Sequence, residues 1–146
     1  MIRAYTSTDK PALLELIRLN TPTYFAKEET TDFSNYLDNE LEGYFVVVQD
    51  GITVGCGGIN YEPNNSAAVI SWDIIHPDYQ GKGIGKELLQ FRITKIKEMN
   101  KYSQIIVRTA QFTFDFYKKA GFKLIETKKD YWAKGIDLFY MTMKIT

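Results

Sequence analysis

The chain has 146 residues, enough for one domain with a sizeable core, and its 18 basic and 18 acidic residues give no net charge. No overall field therefore draws the protein to nucleic acid or to an anionic membrane. The single cysteine excludes an internal disulfide, and no apolar run approaches the roughly 18 residues of a membrane span. Because the N-terminus also has no apolar signal-peptide region, we expect a cytoplasmic protein with one domain over residues 1–146.

The spacing of apolar residues predicts strands and helices in the order β-α-α-β-β-β-α-β-α-β-β. The strands are predicted at 1–5, 44–49, 52–61, 67–75, 104–109, 122–127 and 138–144. The first helix follows caps at residues 7–9, and the second follows a cap at Thr30 or Thr31. A third helix separates the fourth strand from the fifth, so these two can run parallel, whereas the second to fourth strands form an antiparallel meander.

A glycine-rich loop joins the fourth predicted strand to the third helix. Gly81, Gly83 and Gly85 stand directly before the helical pattern, and Lys82 and Lys86 lie beside them. Glycines let the backbone approach a ligand closely, and a helix N-terminus offers unpaired N–H groups and a partial positive charge. The loop therefore suits phosphate oxygens, although many loops need glycine for packing alone. Its spacing matches neither the P-loop, G-x-x-x-x-G-K-S/T, nor the dinucleotide fingerprint, G-x-G-x-x-G.

A second informative stretch is the segment 116–122, which reads FYKKAGF. A left-handed Gly121 at the end of a short helix, with Phe122 packing back, is a sufficient structural account of most of it. The segment follows the strand that runs parallel to the fourth, however. Tyr117 is therefore expected near the carboxyl ends of both strands, where open sheets with parallel strands bind ligands.

Two motifs together resemble those of the GNAT superfamily of N-acetyltransferases. One is Q-x-x-G-x-G, formed by Gln80, Gly83 and Gly85, and the other is F-Y-x-x-x-G-F over residues 116–122. They occur in the family's order, within the family's sequence of elements. The resemblance implies an α/β (α+β) fold whose central sheet is mixed, mostly antiparallel and twisted. This sheet has about seven strands, carries helices on both faces and is splayed between strands four and five.

The resemblance also implies a co-substrate, acetyl-coenzyme A, wedged into the splayed sheet. The backbone of Ile74 and Ile75 would pair with the pantetheine arm, and the loop would bind the pyrophosphate. Tyr117 resembles the family's general acid, which protonates the departing thiolate. The cofactor-binding residues expected on this basis are Ile74, Ile75, Gln80, Gly81, Lys82, Gly83, Ile84, Gly85, Lys86 and Tyr117.

Acetyl transfer also needs a base, because an amine with a pKa near about 10.4 is mostly protonated at neutral pH. The glutamate that some family members carry early on the fourth strand is absent, since residues 68–70 are apolar. Asp73 is the nearest alternative, with Glu28 and Glu29 behind it, although Asp73 can instead cap the turn before Pro77. The family's frequent asparagine before the last helix is also missing.

Two aromatic segments allow more than one interpretation. Residues 23–29 carry two aromatic and two acidic side chains, a pattern that favours packing between the first two helices over a substrate wall. Tyr131 and Trp132 precede Gly135, and the pattern slightly favours covering a sheet edge over forming a lid. His76 is the only histidine, so a histidine-based metal site has little to build on.

These observations predict an acetyl-coenzyme A-dependent N-acetyltransferase acting on a primary amine of a small molecule or peptide. The acetyl group would move by direct attack in a ternary complex. A non-catalytic acyl-coenzyme A sensor is the alternative, because the usual glutamate is missing. The expected partners are acetyl-coenzyme A and an amine, without nucleic acid or membrane, and a homodimer stays open.

Overall fold

A seven-stranded sheet is the centre of the computed structural model, which describes residues 1–145. The strands are β1 (Ile2–Ala4), β2 (Gly43–Gln49), β3 (Ile52–Glu62), β4 (Ala67–Ile75), β5 (Gln104–Thr109), β6 (Lys123–Ala133) and β7 (Ile136–Lys144). Their order across the sheet is β1-β2-β3-β4-β5-β7-β6, with β4 and β5 parallel and the other neighbours antiparallel. The mixed, mostly antiparallel sheet predicted from the sequence is confirmed.

Four α-helices cover the sheet within the described residues: α1 (Lys10–Leu19), α2 (Glu29–Asn39), α3 (Ile84–Met99) and α4 (Phe114–Lys119). One hydrophobic cluster joins α1 and α2 to the sheet, and another joins α3 and α4 to it. Helices therefore lie on both faces, as predicted. None of the helices in residues 1–145 has the length and apolar character needed to cross a membrane.

The second helix begins earlier than predicted. Glu28, and not Thr30 or Thr31, is the N-cap of α2, and the helix starts at Glu29. The Glu29 carboxylate accepts a hydrogen bond from the backbone N–H of Ala26. A glutamate side chain therefore satisfies a backbone donor just before the helix, where a threonine side chain was expected to do so.

The sixth strand is longer than predicted and continues to Ala133. Gly135, with a φ of 82°, lies in the turn of a hairpin in which Ala133 pairs with Ile136. As the outermost strand, β6 is exposed over most of its length, so its residues show no apolar alternation. Tyr131 and Trp132 therefore lie in the first strand of this hairpin.

The sheet opens between β4 and β5. Their pairing runs from Ala67 opposite Gln104 to Ile70 opposite Val107, and stops there. β4 continues to Ile75, while β5 stays paired with β7 as far as Thr109. The predicted splay between the fourth and fifth strands is confirmed, and it leaves backbone groups of β4 facing a gap.

A β-bulge shapes β4 at the start of this gap. Ser71 lies opposite Gly58 and Ile74 opposite Cys56, so two residues of β4 face one residue of β3. Trp72, one of the two, has a φ of 50°, a left-handed conformation that is uncommon for a bulky side chain. The extra residue directs the side chain of Asp73 towards Arg92 of α3.

Gly57 makes room for the ion pair beneath the bulge. The Arg92 side chain has no exposed surface, and its Nη1 lies 2.6 Å from Asp73 Oδ1 and 3.0 Å from the carbonyl oxygen of Gly58. A Cβ at position 57 would overlap Asp73 Oδ1 and come within 2.8 Å of Arg92 Nη1. Only glycine therefore fits at this position without displacing a buried charge.

We expect Gly57→Ala to lower the melting temperature by about 3–10 °C, because overpacking costs about 1–3 kcal/mol in a chain of this size. Gly43→Ala is the matched control, since a Cβ there meets its nearest atom at an ordinary 3.7 Å. Thermal unfolding followed by circular dichroism measures both variants. A Gly57→Ala protein as stable as the Gly43→Ala protein would show that the pair tolerates the methyl group.

Candidate active site

A cavity of about 670 Å³ occupies the opening between β4 and β5. It extends from the loop before α3 to the segment between α1 and α2, and it reaches the base of α4 and the end of β6. Of the residues predicted for the site, those that line it are Glu29, Asp73, Ile74, Ile75, Gln80, Gly81, Gly83, Gly85, Lys86 and Tyr117. Glu28, Lys82 and Ile84 are not among its lining residues.

The glycine loop presents the N-terminus of a long helix to this cavity. Gly81 and Gly83 have φ values of 75° and 85°, conformations that glycine adopts without strain. Gly83 is the N-cap of α3, and the first hydrogen bond of the helix runs from the N–H of Glu87 to its carbonyl. The N–H groups before Glu87 have no partner within the helix, so they and Lys86 form an electropositive wall.

Two loop residues have other contacts. The Lys82 ammonium lies 5.2 Å from the centre of the Tyr79 ring. Ile84 is buried and packs in the core with Val54 and Leu88, so its side chain is structural. Ile84 can therefore contact a ligand at the start of α3 through its backbone and not through its side chain.

Asn20 ties α1 to the end of β4 that lines the cavity. Its side chain is buried, and its Nδ2 donates to the carbonyls of Leu16 at 2.8 Å and Ile75 at 3.1 Å. Its Oδ1 accepts from Nε2 of Gln80 at 3.2 Å, and the same nitrogen lies 3.3 Å from the Ile75 carbonyl oxygen. The predicted cofactor residue Gln80 thus supports the strand edge, and the Ile75 carbonyl already accepts two amide donors.

Tyr117, Asp73 and Arg92 form a chain of polar contacts at the floor of the cavity. The hydroxyl of Tyr117 donates to Oδ2 of Asp73, and Oδ1 of the same carboxylate forms the ion pair with Arg92. Burial and the neighbouring carboxylate raise the pKa of Tyr117 well above its usual range. The proposed acid and one proposed base are therefore bonded to each other.

The two glutamates before α2 have different surroundings. Glu28 is exposed, whereas Glu29 is 8% exposed and lines the cavity. Glu29 Oε2 accepts from the Ala26 N–H at 2.7 Å, and Oε1 accepts no hydrogen bond among residues 1–145. Burial raises the pKa of Glu29, and the hydrogen bond from Ala26 acts in the opposite direction.

Aromatic rings form the far wall of the cavity. Tyr24 contacts Phe112 edge to face, with ring centres 5.7 Å apart, and Phe25 stacks on Trp72 at 6.3 Å. Trp132 also lines the cavity and donates its Nε1–H to the carbonyl of Thr109. The sequence favoured packing roles for residues 23–29 and for Trp132, but both contribute to the cavity wall. Tyr131 is half exposed on β6.

Three residues that position this site were not identified from the sequence: Asn20, Gly57 and Arg92. Arg92 had a visible signal, because it lies four residues after Leu88 and four before Ile96 on the buried face of α3. A charge in such a stripe needs a buried partner. Asn20 looks in the sequence like an ordinary helix stop, and nothing local distinguishes it.

Comparison with known proteins agrees with this fold. The family model described as an acetyltransferase (GNAT) domain matches residues 18–145. An amino-acid acetyltransferase from Actinobacillus pleuropneumoniae is 31% identical over 130 residues, which are 86% of this chain and 28% of that protein. The chain spans little more than a quarter of the length of this and a second curated amino-acid acetyltransferase, from Pasteurella multocida.

Two solved structures show the same fold. A GNAT-family acetyltransferase from Desulfovibrio desulfuricans has a TM-score of 0.85 at 16% identity, over 100% of this chain and 99% of that one. An N-acetylglutamate synthase from Neisseria gonorrhoeae, complexed with coenzyme A and N-acetyl-glutamate, has a TM-score of 0.73 at 18% identity, over 100% of this chain and 35% of that one. Together with the family model, they confirm the predicted resemblance to the GNAT superfamily. Because the family model covers nearly the whole chain and the fold agrees with it, the chain belongs to the GNAT family of acetyltransferases.

Proposed function

We propose that the protein is an acetyl-coenzyme A-dependent N-acetyltransferase that acts on a primary amine by direct attack in a ternary complex. The observation that carries the proposal is the continuity of the cavity. The cavity runs without interruption from the glycine loop to the buried carboxylate of Glu29. Tyr117 and Asp73 also line it. Thioester and amine can therefore occupy it together, which direct transfer requires.

The activity is tested by the release of free thiol from acetyl-coenzyme A in the presence of a panel of primary amines. Amine-dependent release with formation of the matching amide supports the proposal. Coenzyme A binding without turnover across the panel would instead make the protein a sensor.

The loop end of the cavity fits the phosphates of the co-substrate. The helix N-terminus, the open glycines and Lys86 offer backbone donors and positive charge there. On its β5 side β4 has no partner strand beyond Ile70, so the backbone groups of Ile74 and Ile75 that are not already hydrogen-bonded are available to the pantetheine arm. The coenzyme A complex of the N. gonorrhoeae enzyme, which shares the fold, supports this assignment.

We expect Gly83→Val to weaken coenzyme A binding about 10-fold or more. The valine side chain would occupy the open space proposed for the phosphates, and valine disfavours the positive φ that Gly83 adopts. Gly135→Val is the matched control. Gly135 has a similar φ of 82° and equally open surroundings, but it lies in the β6–β7 turn. Isothermal titration calorimetry with coenzyme A measures both, and equal affinity for the two variants would remove the loop from the site.

Glu29 fits the general base better than the other carboxylates. Both oxygens of Asp73 are engaged, one by Arg92 and one by Tyr117, and protonating Asp73 would leave a buried arginine unpaired. Glu28 is exposed and outside the cavity wall. Glu29 lines the cavity with one oxygen not hydrogen-bonded, and its raised pKa makes it a stronger base.

Glu29→Gln is expected to lower kcat/KM at pH 7 by about 10²-fold, the usual contribution of a positioned base. Glutamine keeps an oxygen for the Ala26 N–H, so folding should be retained. Because Glu29 accepts a proton only when ionised, wild-type activity should fall as pH decreases through its raised pKa. The deficit of the variant should shrink towards about pH 10, where more of the amine is free. Glu28→Gln is the control, and an equal loss in both variants would contradict the assignment.

We assign Tyr117 to the leaving thiolate, with one change from the sequence-based expectation. A thiol titrates near about 8.5, so complete proton transfer from a phenol of much higher pKa is uphill. Tyr117 therefore acts chiefly by donating a hydrogen bond to the developing thiolate, as donors to developing oxyanions do. Asp73 and Arg92 hold its hydroxyl in place until then.

Tyr117→Phe should lower kcat by about 10²-fold and leave the coenzyme A Kd within a few-fold, since only the hydroxyl is lost. Because its pKa is raised, the wild-type kcat should show no descending limb from Tyr117 up to about pH 10. Tyr102→Phe, at a buried tyrosine outside the cavity lining, controls for the general effect of the change. Wild-type kcat in the Tyr117→Phe protein would leave this residue a packing role alone.

A further inference from the structure

The amine end of the cavity combines aromatic rings with one buried carboxylate. Its aromatic wall consists of Tyr24, Phe25, Trp72, Phe112 and Trp132, which come from four separate segments of the chain. Glu29 is the carboxylate at this end. Aromatic faces attract cations as well as apolar groups, and a buried carboxylate attracts an ammonium group.

Positive charge at this end is already neutralised. Among residues 1–145, the cationic side chains of the cavity wall are Lys86, which belongs to the glycine loop, and Arg108. Arg108 Nη1 lies 2.7 Å from Glu62 Oε2, Nη2 lies 3.3 Å from Oε1, and the guanidinium stands 5.3 Å from the centre of the Tyr140 ring. An acceptor carboxylate would therefore lose part of its hydration and meet a cation that already has a carboxylate partner, and it would also face Glu29.

We propose that the acceptor is a primary amine with an apolar, aryl or alkyl substituent and no carboxylate, and not a free α-amino acid. This inference rests on the proposed acetyl transfer. The ammonium group lies towards Glu29 and the apolar substituent packs against the rings. Glu29 takes one proton from the ammonium group, the neutral amine nitrogen forms a bond to the thioester carbon, and the carbon–sulfur bond breaks with its electron pair on the coenzyme A sulfur. The second proton that the nitrogen loses in forming the amide goes to the departing thiolate.

The inference departs from the name of the curated relatives. They are called amino-acid acetyltransferases, but this chain matches little more than a quarter of their length. What decides the acceptor class here is the charge at the amine end. A site for an amino acid must hold the ammonium and the carboxylate, and this site has a partner for the first alone.

A matched pair of substrates tests the inference. 2-Phenylethylamine and phenylalanine differ only in the carboxylate. Their kcat/KM values are compared after both are calculated from the concentration of the unprotonated amine. We expect a preference of about 10²-fold for 2-phenylethylamine, since a desolvated charge without a partner is strongly rejected. Phenylalaninamide, in which the charge is removed, should regain most of the activity.

Equal or better turnover of phenylalanine or of glutamate would overturn the inference while leaving acetyl transfer intact. Absence of turnover with every amine would instead reject the proposed function and, with it, the inference.

A variant locates the substituent within the cavity. Phe112→Ala should raise the KM for 2-phenylethylamine about 10-fold without changing the coenzyme A Kd, because a ring of the aromatic wall is lost. Leu124→Ala is the control, since Leu124 is 42% exposed, close to the 45% of Phe112, and lies outside the cavity. An unchanged KM in the Phe112→Ala protein would contradict the aromatic wall as the acceptor site.

Discussion

Arg92 has no surface exposed to solvent, so its charge has to be met inside the protein. Asp73 supplies the counter-charge, and the carbonyls of Gly58 and Leu88 accept further hydrogen bonds from the guanidinium. Breaking such a pair by removing one partner costs about 3–5 kcal/mol, because the other charge stays buried. Asp73 belongs to the bulge at the start of the gap in the sheet. The ion pair therefore holds the strand in the conformation on which the ligand-binding half of the molecule depends.

The ion pair between Arg92 and Asp73 also distinguishes Asp73 from Glu29, two carboxylates that the sequence alone offers as bases. Asp73 has Arg92 on one oxygen and Tyr117 on the other, so it is committed to positioning. Among residues 1–145 no cationic side chain forms an ion pair with Glu29, and burial raises its pKa. Surroundings and not residue type thus make one carboxylate a fixed counter-ion and suit the other to the role of proton acceptor that we propose. A base need not occupy the strand position that other family members use, provided that the cavity wall supplies one.

The parts predictable from the sequence were those with local signals. The loop glycines, the order of elements and the parallel pair of strands follow from spacing and from turn residues. The sequence could not show that Gly57 faces Arg92, because that contact joins β3 to a helix more than thirty residues away. β6 was too short in the prediction because an exposed edge strand carries no alternation. Residues 23–29 were assigned to packing because an aromatic side chain satisfies a core and a pocket equally well.

The cavity is polarised along its length, although the chain has no net charge. Its loop end carries Lys86 and the N-terminus of α3, and its amine end carries Glu29 among aromatic rings. A polyanionic co-substrate and a cationic acceptor are therefore attracted to opposite ends and repelled from each other's. With the phosphates at the loop, as we propose, the thioester would extend towards Tyr117, and the amine would approach it from the other side. Local charge separation, which the overall composition conceals, thus favours the orientation of the two substrates that we propose.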